Sequence, residues 1–363
     1  MSKSLLFIPD ISGFTNFVQT TEVEHSQHVI SELLEVLIAA NTQQLKLAEI
    51  EGDALFFFKE NEIPSQEKIL AQVETMYTAF YSHLKMLETN RICPCNACAT
   101  APKLQLKIIL HCGDLQFLNV QGNRKPFGES VIEAHRLLKN SIEGDNYILI
   151  SEALAKEIKL TEHYESALFQ FDRGSDKYDG KIINYLHANI DVTLLKLRAF
   201  EPPIVYQPDM PPNFTKTVII DRSAYEVYEM LSNYRYRHLW VEGVDEFVFE
   251  EDEVTRVGTE HTCVINGKSF DFTTVVKPVA MDQLNYGELT FDPPPVERMY
   301  QFFTLKPLGD AKCELHFEIY WKTKTPFQKM LMLIGAKKQI IAASSHSVEN
   351  LVNLMNQEQL VLS

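Results

Sequence analysis

The chain of 363 residues predicts an α+β protein in two domains. Three observations predict it. In the first half, short apolar runs of strand length interleave with longer segments of helical spacing. In the second half, several strand-like runs follow one another and a single long helical stretch closes the chain. Between the halves, Glu201-Pro202-Pro203 and Pro208-Asp209-Met210-Pro211-Pro212 bracket a linker, because paired prolines exclude helix and sheet interior alike. The expected boundaries are 1–190 for the first domain, 191–212 for the proline-rich linker and 213–363 for the second domain.

The length suffices for two cores. Hydrophobic residues at 45% and charged residues at 23% are ordinary for a globular protein. The formal net charge of −15 argues against general binding to nucleic acid or an anionic membrane. With no apolar run of bilayer length and no signal-peptide pattern at the N-terminus, a cytoplasmic protein is expected.

The first element is Leu5-Leu6-Phe7-Ile8-Pro9-Asp10-Ile11-Ser12-Gly13-Phe14-Thr15. It reads as a buried strand that carries Asp10 to its tip, then a tight turn into a helix. That helix is expected to run to about Ala40, with Ile30, Leu33, Leu34, Leu37 and Ile38 on its apolar face. Glu49 to Phe58 reads as a hairpin with Gly52-Asp53 at its tip, and 65–88 as a second helix. Leu104 to His111 is an internal strand with Leu115 to Val120 as its hairpin partner. A helix from Phe127-Gly128-Glu129 to Leu138, a strand over 147–150 and a last pair, 168–171 with 182–186, complete an antiparallel-rich sheet with helices on one face.

Two strand-end aspartates, each beside a glycine, suit a pair of divalent cations next to a triphosphate. The plainer reading makes Asp10 a helix cap and Asp53 an ordinary turn residue. Asp-Ile-Ser-Gly-Phe-Thr followed by Glu-x-x-Gly-Asp-Ala resembles the paired metal motifs of the class III nucleotide cyclases (adenylate and guanylate cyclases), over about the first half of the chain. The resemblance implies a ferredoxin-like fold and magnesium or manganese held by Asp10, Asp53 and the Ile11 carbonyl, with backbone amides of Phe14 and Thr15 on the phosphates. It places Glu49 at the purine-selecting position, where a carboxylate favours GTP, and Lys125 at the second such position. Arg136 matches the arginine that supports transition-state charge, and Lys177 or Lys181 the phosphate-facing lysine. Ile132 stands where the family carries a ribose-orienting asparagine, and isoleucine cannot hydrogen-bond. The family builds its site between two catalytic domains, so a homodimer is implied, with Asp10 and Asp53 of one chain meeting Arg136 of the other.

Beyond the linker, Thr215 to Ile220 is a strand and Ser223 caps a short helix. Strands with turns at Asn266-Gly267, Gly287 and Gly309-Asp310 follow. One helix is expected from Pro326 to near Asn356, with Ile334, Ile341, Val348, Leu351 and Val352 as its apolar face. The residues Val218 to Ala224, Trp240, and Val257-Gly258-Thr259-Glu260-His261 are similar to the START-like helix-grip superfamily (SRPBCC, polyketide-cyclase relatives), over about 213–357. That resemblance implies a cavity between sheet and helix for a lipid or small hydrophobic ligand. The expected volume is about 300–1,000 Å³. Tyr236, His238, Trp240, His261, Tyr300 and Tyr320 are its candidate lining residues.

Cys93-Pro94-Cys95-Asn96-Ala97-Cys98 forms a separate cluster, while Cys112, Cys263 and Cys313 are scattered. Scattered cysteines fit a reducing compartment better than a disulfide framework. The three clustered thiols can share zinc or another soft ion, with His111 or Cys112 completing the set, or form a reduced, redox-sensitive loop.

The sequence therefore points to a two-domain protein that binds a purine nucleoside triphosphate with divalent metal and a hydrophobic ligand. The alternative is a degenerate sensor that keeps the cyclase fold for dimerisation or nucleotide sensing.

Overall fold

The structure, a computed structural model, describes residues 3–200, 202–203, 205–251, 254–265 and 267–357. Glu201 of the expected linker and Asn266 of the expected turn lie outside them. The chain divides into two compact units, residues 1–88 with 96–200, and residues 201–363 with 89–95. Both mix helices with sheet. Among the described residues no helix is long and apolar enough to cross a membrane.

The first unit opens with β1 (Ser4–Ser12), α1 (Phe14–Thr20), α2 (Val23–Ala39), β2 (Lys46–Glu51) and β3 (Ala54–Lys59). Then come α3 (Gln66–Asn90), α4 (Asn96–Thr100), β4 (Gln105–Gly113), the ribbon β5 (Gln116–Val120) and β6 (Asn123–Phe127), and α5 (Glu129–Leu137). It ends with β7 (Tyr147–Ser151), α6 (Glu152–Glu157), β8 (Asp172–Tyr178) and β9 (Lys181–Asn189). Seven strands form one sheet in the order β2-β3-β1-β4-β7-β9-β8. Its pairs are antiparallel except β4 with β7.

Both faces of its centre are covered, not one. Leu6, Ile8, Ile109 and Leu149 pack with Ala134 and Leu137 of α5. On the opposite face Leu5, Phe7, Ile108, Leu110 and Ile148 are equally buried, and Tyr77 of α3 donates to the carbonyl oxygens of Leu106 or Tyr147 at 2.8 Å. A strand buried on both sides reads as a continuous apolar run, which is what β1 and β4 show.

The sequence expectations fail where hydrogen bonding by polar side chains decides. The single helix to Ala40 is two, because Thr20 and Thr21 hydroxyls donate back to the carbonyls of Asn16 and Phe17 and the chain turns extended at Thr21 and Glu22. β5 pairs with β6 and not with β4. The last strand pair is β8 with β9, so 168–171 precedes the strand it was expected to form.

The second unit contains β10 (Phe214–Ile220), α7 (Ala224–Ser232) and β11 (Glu246–Val248). It continues with β12 (Glu260–Ile265), β13 (Lys268–Val275), β14 (Leu284–Phe291), β15 (Arg298–Pro307) and β16 (Cys313–Lys322). The C-terminal stretch is α8 (Pro326–Leu331), a π-helical turn (Met332–Ala336) and α9 (Lys337–Met355). Its sheet is antiparallel throughout, in the order β10-β16-β15-β14-β13-β12-β11. Ser223 caps α7 through a reciprocal box with Glu226.

Val348, Leu351 and Met355 of α9 join Leu315, Phe317 and Ile319 of β16, Phe303 of β15 and Trp240 in one core. The expected single helix is interrupted at Gly335, whose φ of 158° breaks the helical path; upstream of it Ile334 is 73% exposed and leaves the core face. Gly287 is not a turn. It lies inside β14, where an added Cβ would stand 2.4 Å from the Phe302 ring and 2.9 Å from the Val275 carbonyl oxygen, so glycine is required by close packing.

Candidate functional site

The sheet register brings the acidic residues together. Asp10 on β1 stands opposite Ala54 of β3 on one side and Lys107 of β4 on the other. Asp53 occupies the tight turn between β2 and β3, after Gly52 at φ 67°. The Ile11 amide donates to the Asp53 carbonyl oxygen at 3.1 Å, which ties the turn to the end of β1.

The electrostatics follow from that placement. Burial raises the Asp53 carboxyl, the charge of Asp10 raises it further, and it reaches about 6. Burial also raises Asp10, while Lys107 pulls it back and Asp145 pushes it up. The Lys107 ammonium is 3.3 Å from Asp10 Oδ1. Two half-buried carboxyl groups that resist ionising together form a site short of positive charge. Ser12, two residues beyond Asp10 and on the same strand face, has a buried hydroxyl without a hydrogen-bond partner. Carboxylates plus an orphaned hydroxyl are oxygen donors of the kind a hard divalent cation takes, so the donor set fits magnesium or manganese.

Lys107 was not singled out from the sequence. A lone cation between Leu106 and Ile108 in an otherwise apolar strand was the available signal. Only the register shows that it faces Asp10.

Glu49 and Lys125 also meet, Nζ to Oε1 at 2.9 Å. Next to them Arg124 on β6 holds Glu60 through two hydrogen bonds of 2.8 and 2.6 Å and lies over the Phe117 ring. These pairs fasten the β5–β6 ribbon to the β2–β3 hairpin. On α5, Arg136 pairs with Asp179 in the β8–β9 turn, and Ile132 is 49% exposed.

Lys177 is exposed on β8, at the far edge of the sheet and four strands from β1, roughly 19 Å at ordinary strand spacing. Within one chain, neither Lys177 nor Arg136 is shown against the aspartates. Lys181 is taken by Glu129 and Glu133 of α5. Phe14 and Thr15 open α1 behind Gly13, as the turn requires.

Of the clustered cysteines, Cys98 belongs to the first unit, where its Sγ lies 3.8 Å from His25 Nδ1. His111 is occupied elsewhere, with Nδ1 2.8 Å from the Ser151 hydroxyl and Nε2 3.3 Å from Glu133, and burial lowers it to about 4. Burial lifts the Cys112 thiol to about 11.

In the second unit, a cleft of 150 Å³ is lined by Arg237, Trp240, Glu288, Phe303, Phe317 and Val348, among others, well below the expected volume. Glu288 pairs with Arg237, accepts from Tyr286 at 2.7 Å and lies 3.7 Å from His261. Burial foremost, then Arg237, lower His261 to about 2, so it is neutral. Tyr236 packs against the core that contains Trp240. His238 is exposed. Tyr300 and Tyr320 lie on the other face of the sheet, where they stack around Tyr206 with Phe302. Strand alternation separates them from the cleft, because Phe303 and Trp321, their odd-numbered neighbours, are the ones that face the helix.

The family described as a protein of unknown function (DUF2652) matches residues 30–147. A curated relative, the uncharacterized protein Rv2561/Rv2562 of Mycobacterium tuberculosis, is 28% identical over 127 residues, 35% of this chain and 59% of the relative. The chain thus spans less than two thirds of that relative's length. Among solved structures, the non-canonical dimeric guanylyl cyclase domain of the RhoGC fusion protein from Blastocladiella emersonii shares 17% identity at a TM-score of 0.38, over 53% of this chain and 98% of that one. The adenylyl cyclase CyaB from P. aeruginosa shares 16% at 0.38, over 52% and 94%. The catalytic core of a rhodopsin-guanylyl cyclase in complex with ATPalphaS shares 18% at 0.38, over 52% and 97%. Structure neighbours are thus adenylate and guanylate cyclase domains over about half the chain. At these scores the likeness carries no chemistry, which rests on the side chains themselves.

Proposed function

We propose that the first unit binds a purine nucleoside triphosphate together with a divalent cation at Asp10 and Asp53. The observation that carries this reading is their convergence: two aspartates 43 positions apart in sequence meet across β1 and β3, and the Asp10 charge raises the cost of ionising Asp53. Cations bound there would neutralise phosphate charge and acidify an attacking ribose hydroxyl. The chain's own part is to hold the two carboxylates on a rigid sheet, to anchor Asp10 through Lys107, and to offer the Ile11 carbonyl and the amides of Phe14 and Thr15 at the turn. Glu49 is the acceptor that would favour guanine.

The mechanism that matches this site is cyclisation, and it needs a second copy. Arg136, engaged by Asp179 within its own chain, would reach the triphosphate held by the partner, giving a homodimer. A specific observation favours the rival reading, a sensor that holds nucleotide without turning it over. Ile132 offers no hydrogen bond to the ribose, and orientation supplies much of an enzyme's rate.

The experiment is a turnover assay of the full chain with GTP and with ATP in manganese, beside nucleotide binding by calorimetry. Asp10→Ala serves as control. Binding that needs manganese and is lost in Asp10→Ala supports the site, and cyclic product then separates enzyme from sensor. Nucleotide binding indifferent to both would sink the reading.

For the second unit, the Trp240–Phe303–Phe317 cleft with Arg237 and Glu288 at its polar end supports a small hydrophobic ligand in a helix-grip fold. Native mass spectrometry of the full chain tests it, and the absence of any retained or added ligand would reject it.

A further inference from the structure

We propose that the face formed by α8 and the π-helical turn docks on an anionic lipid bilayer, lying on its surface without crossing it. Four large apolar side chains stand out from this face within eight residues. Phe327 is 62% exposed, Met330 47%, Leu333 87% and Ile334 73%. One exposed leucine is ordinary, but apolar side chains gathered in a patch mark a surface that meets something other than water.

The local winding builds the patch. Phe327, Met330, Leu333 and Ile334 recur at intervals of three and four, so they fall toward one side of the helical stretch. Met332 is instead 7% exposed and joins the core of Val348 and Leu351. The widened turn and the break at Gly335 leave Leu333 and Ile334 outside that core. The stretch also starts firmly, because Thr325 caps α8 in a reciprocal box with Gln328 and Pro326 opens the helix. The patch is thus held out on an ordered element that is itself anchored.

Charge selects the partner. The chain carries a net charge of −15, yet no aspartate or glutamate occurs between Glu318 and Glu349. That interval holds Lys322, Lys324, Lys329, Lys337 and Lys338. Lys322 pairs with Asp209 at 2.9 Å, and Lys324 lies 3.9 Å from Glu297. Lys329, Lys337 and Lys338 are exposed and pair with no acid among the described residues. Lysines beside an exposed apolar face suit the headgroup boundary of an anionic bilayer, where the stems lie on apolar surface and the ammonium groups reach phosphate. A two-fold contact between copies through the same face would set its lysines against one another. The acidic remainder of the molecule is repelled by such a bilayer, so this face alone approaches it.

The test is co-sedimentation of the full chain with vesicles of phosphatidylcholine, alone or with about a third of the lipid replaced by phosphatidylglycerol. Binding to the anionic vesicles should exceed binding to the neutral ones, and should fall as added salt shortens the screening length. Leu333→Glu combined with Ile334→Glu changes only exposed positions, and should abolish binding while leaving the melting temperature unchanged. Lys337→Gln and Lys338→Gln should each weaken binding by about 5-fold, the loss expected for one basic residue near an anionic surface. Phe327→Trp should gain emission that brominated lipid quenches beyond the wild-type signal. Binding to neither vesicle, equal binding to both, or binding undiminished in the double variant overturns the proposal. Self-association that the double variant abolishes, without vesicle binding, also overturns it and assigns the face to a second copy.

Discussion

Lys125 Nζ lies 2.9 Å from Glu49 Oε1, so the two positions expected to read a purine are bonded to each other. Both side chains are nearly half exposed, at 48% and 43%. The pair is therefore cheap to break, worth about 0.2–1 kcal/mol as a surface ion pair. It still withholds the Glu49 carboxylate from guanine until it opens. Lys125→Ala should tighten GTP binding by roughly 1.4- to 5-fold, the equivalent of that energy, and leave ATP almost unchanged. Calorimetric titration of both nucleotides reads the difference. Equal gains for ATP and GTP would show that Glu49 does not select the base.

Asp53 supplies a pH dependence. Its carboxyl is raised to about 6 in the folded protein, by burial first and the Asp10 charge second. The sign is that of an acid that binds its proton more tightly when folded. Stability without metal should rise as pH falls through about 6 toward the unfolded value of 3.8, and the charged form is a burden at neutral pH. Asp53→Asn should therefore stabilise the metal-free protein at pH 7.5. The gain should be about 1 kcal/mol once solvent screening at this half-buried site is allowed for. The same variant should lose the manganese-induced rise in melting temperature. Manganese affinity of the wild type should weaken below pH 6 as the pair takes up protons. A melting temperature lower in Asp53→Asn than in wild type, without metal, would contradict the charge argument.

These outcomes show where the sequence was informative. The apolar run ending in Asp10 and the Gly52-Asp53 turn were legible because strand, turn and acid are local patterns. The partners were not. Lys107 faces Asp10 through register, His25 reaches Cys98 across two helices, and Tyr206 stacks on Tyr300 from a stretch read only as linker. Each pairing joins segments far apart in sequence, and no periodicity encodes it. The placement of Tyr300 and Tyr320 failed for a related reason. Alternation says that neighbours face opposite ways, but not which face meets the helix until the sheet is assembled.

Arg237 and Glu288 form an ion pair that is 4% and 3% exposed. The Arg237 guanidinium also lies 4.9 Å from the Trp240 ring centre. Two charges in the interior hold together only as a pair. Glu288→Ala, which leaves Arg237 buried alone, should destabilise the protein by about 3–5 kcal/mol. Replacing both by Met at 237 and Leu at 288 should recover most of that loss. Denaturant unfolding of the two variants checks the order, and a double variant no more stable than Glu288→Ala would assign the loss to packing instead of charge.

Lys107 offers the sharpest test of the aspartate site. Its ammonium sits 3.3 Å from Asp10 Oδ1, where it already supplies part of the positive charge that the two carboxylates demand. A divalent cation must share or displace that contact. Removing the lysine charge should therefore strengthen cation binding, although it removes an ion pair. At an effective dielectric near 20, a unit charge a few ångströms away is worth a few kcal/mol before solvent relaxation. Lys107→Met keeps the aliphatic stem packed on β4 and should tighten manganese binding by about 10-fold without nucleotide, equivalent to 1.4 kcal/mol. The measurement is a manganese titration followed by electron paramagnetic resonance, with Asp10→Asn in the same background. Tighter binding in Lys107→Met that Asp10→Asn abolishes places the cation on Asp10. Unchanged or weaker binding means that Lys107 and Asp10 are a structural pair, and the cation site must then be sought elsewhere.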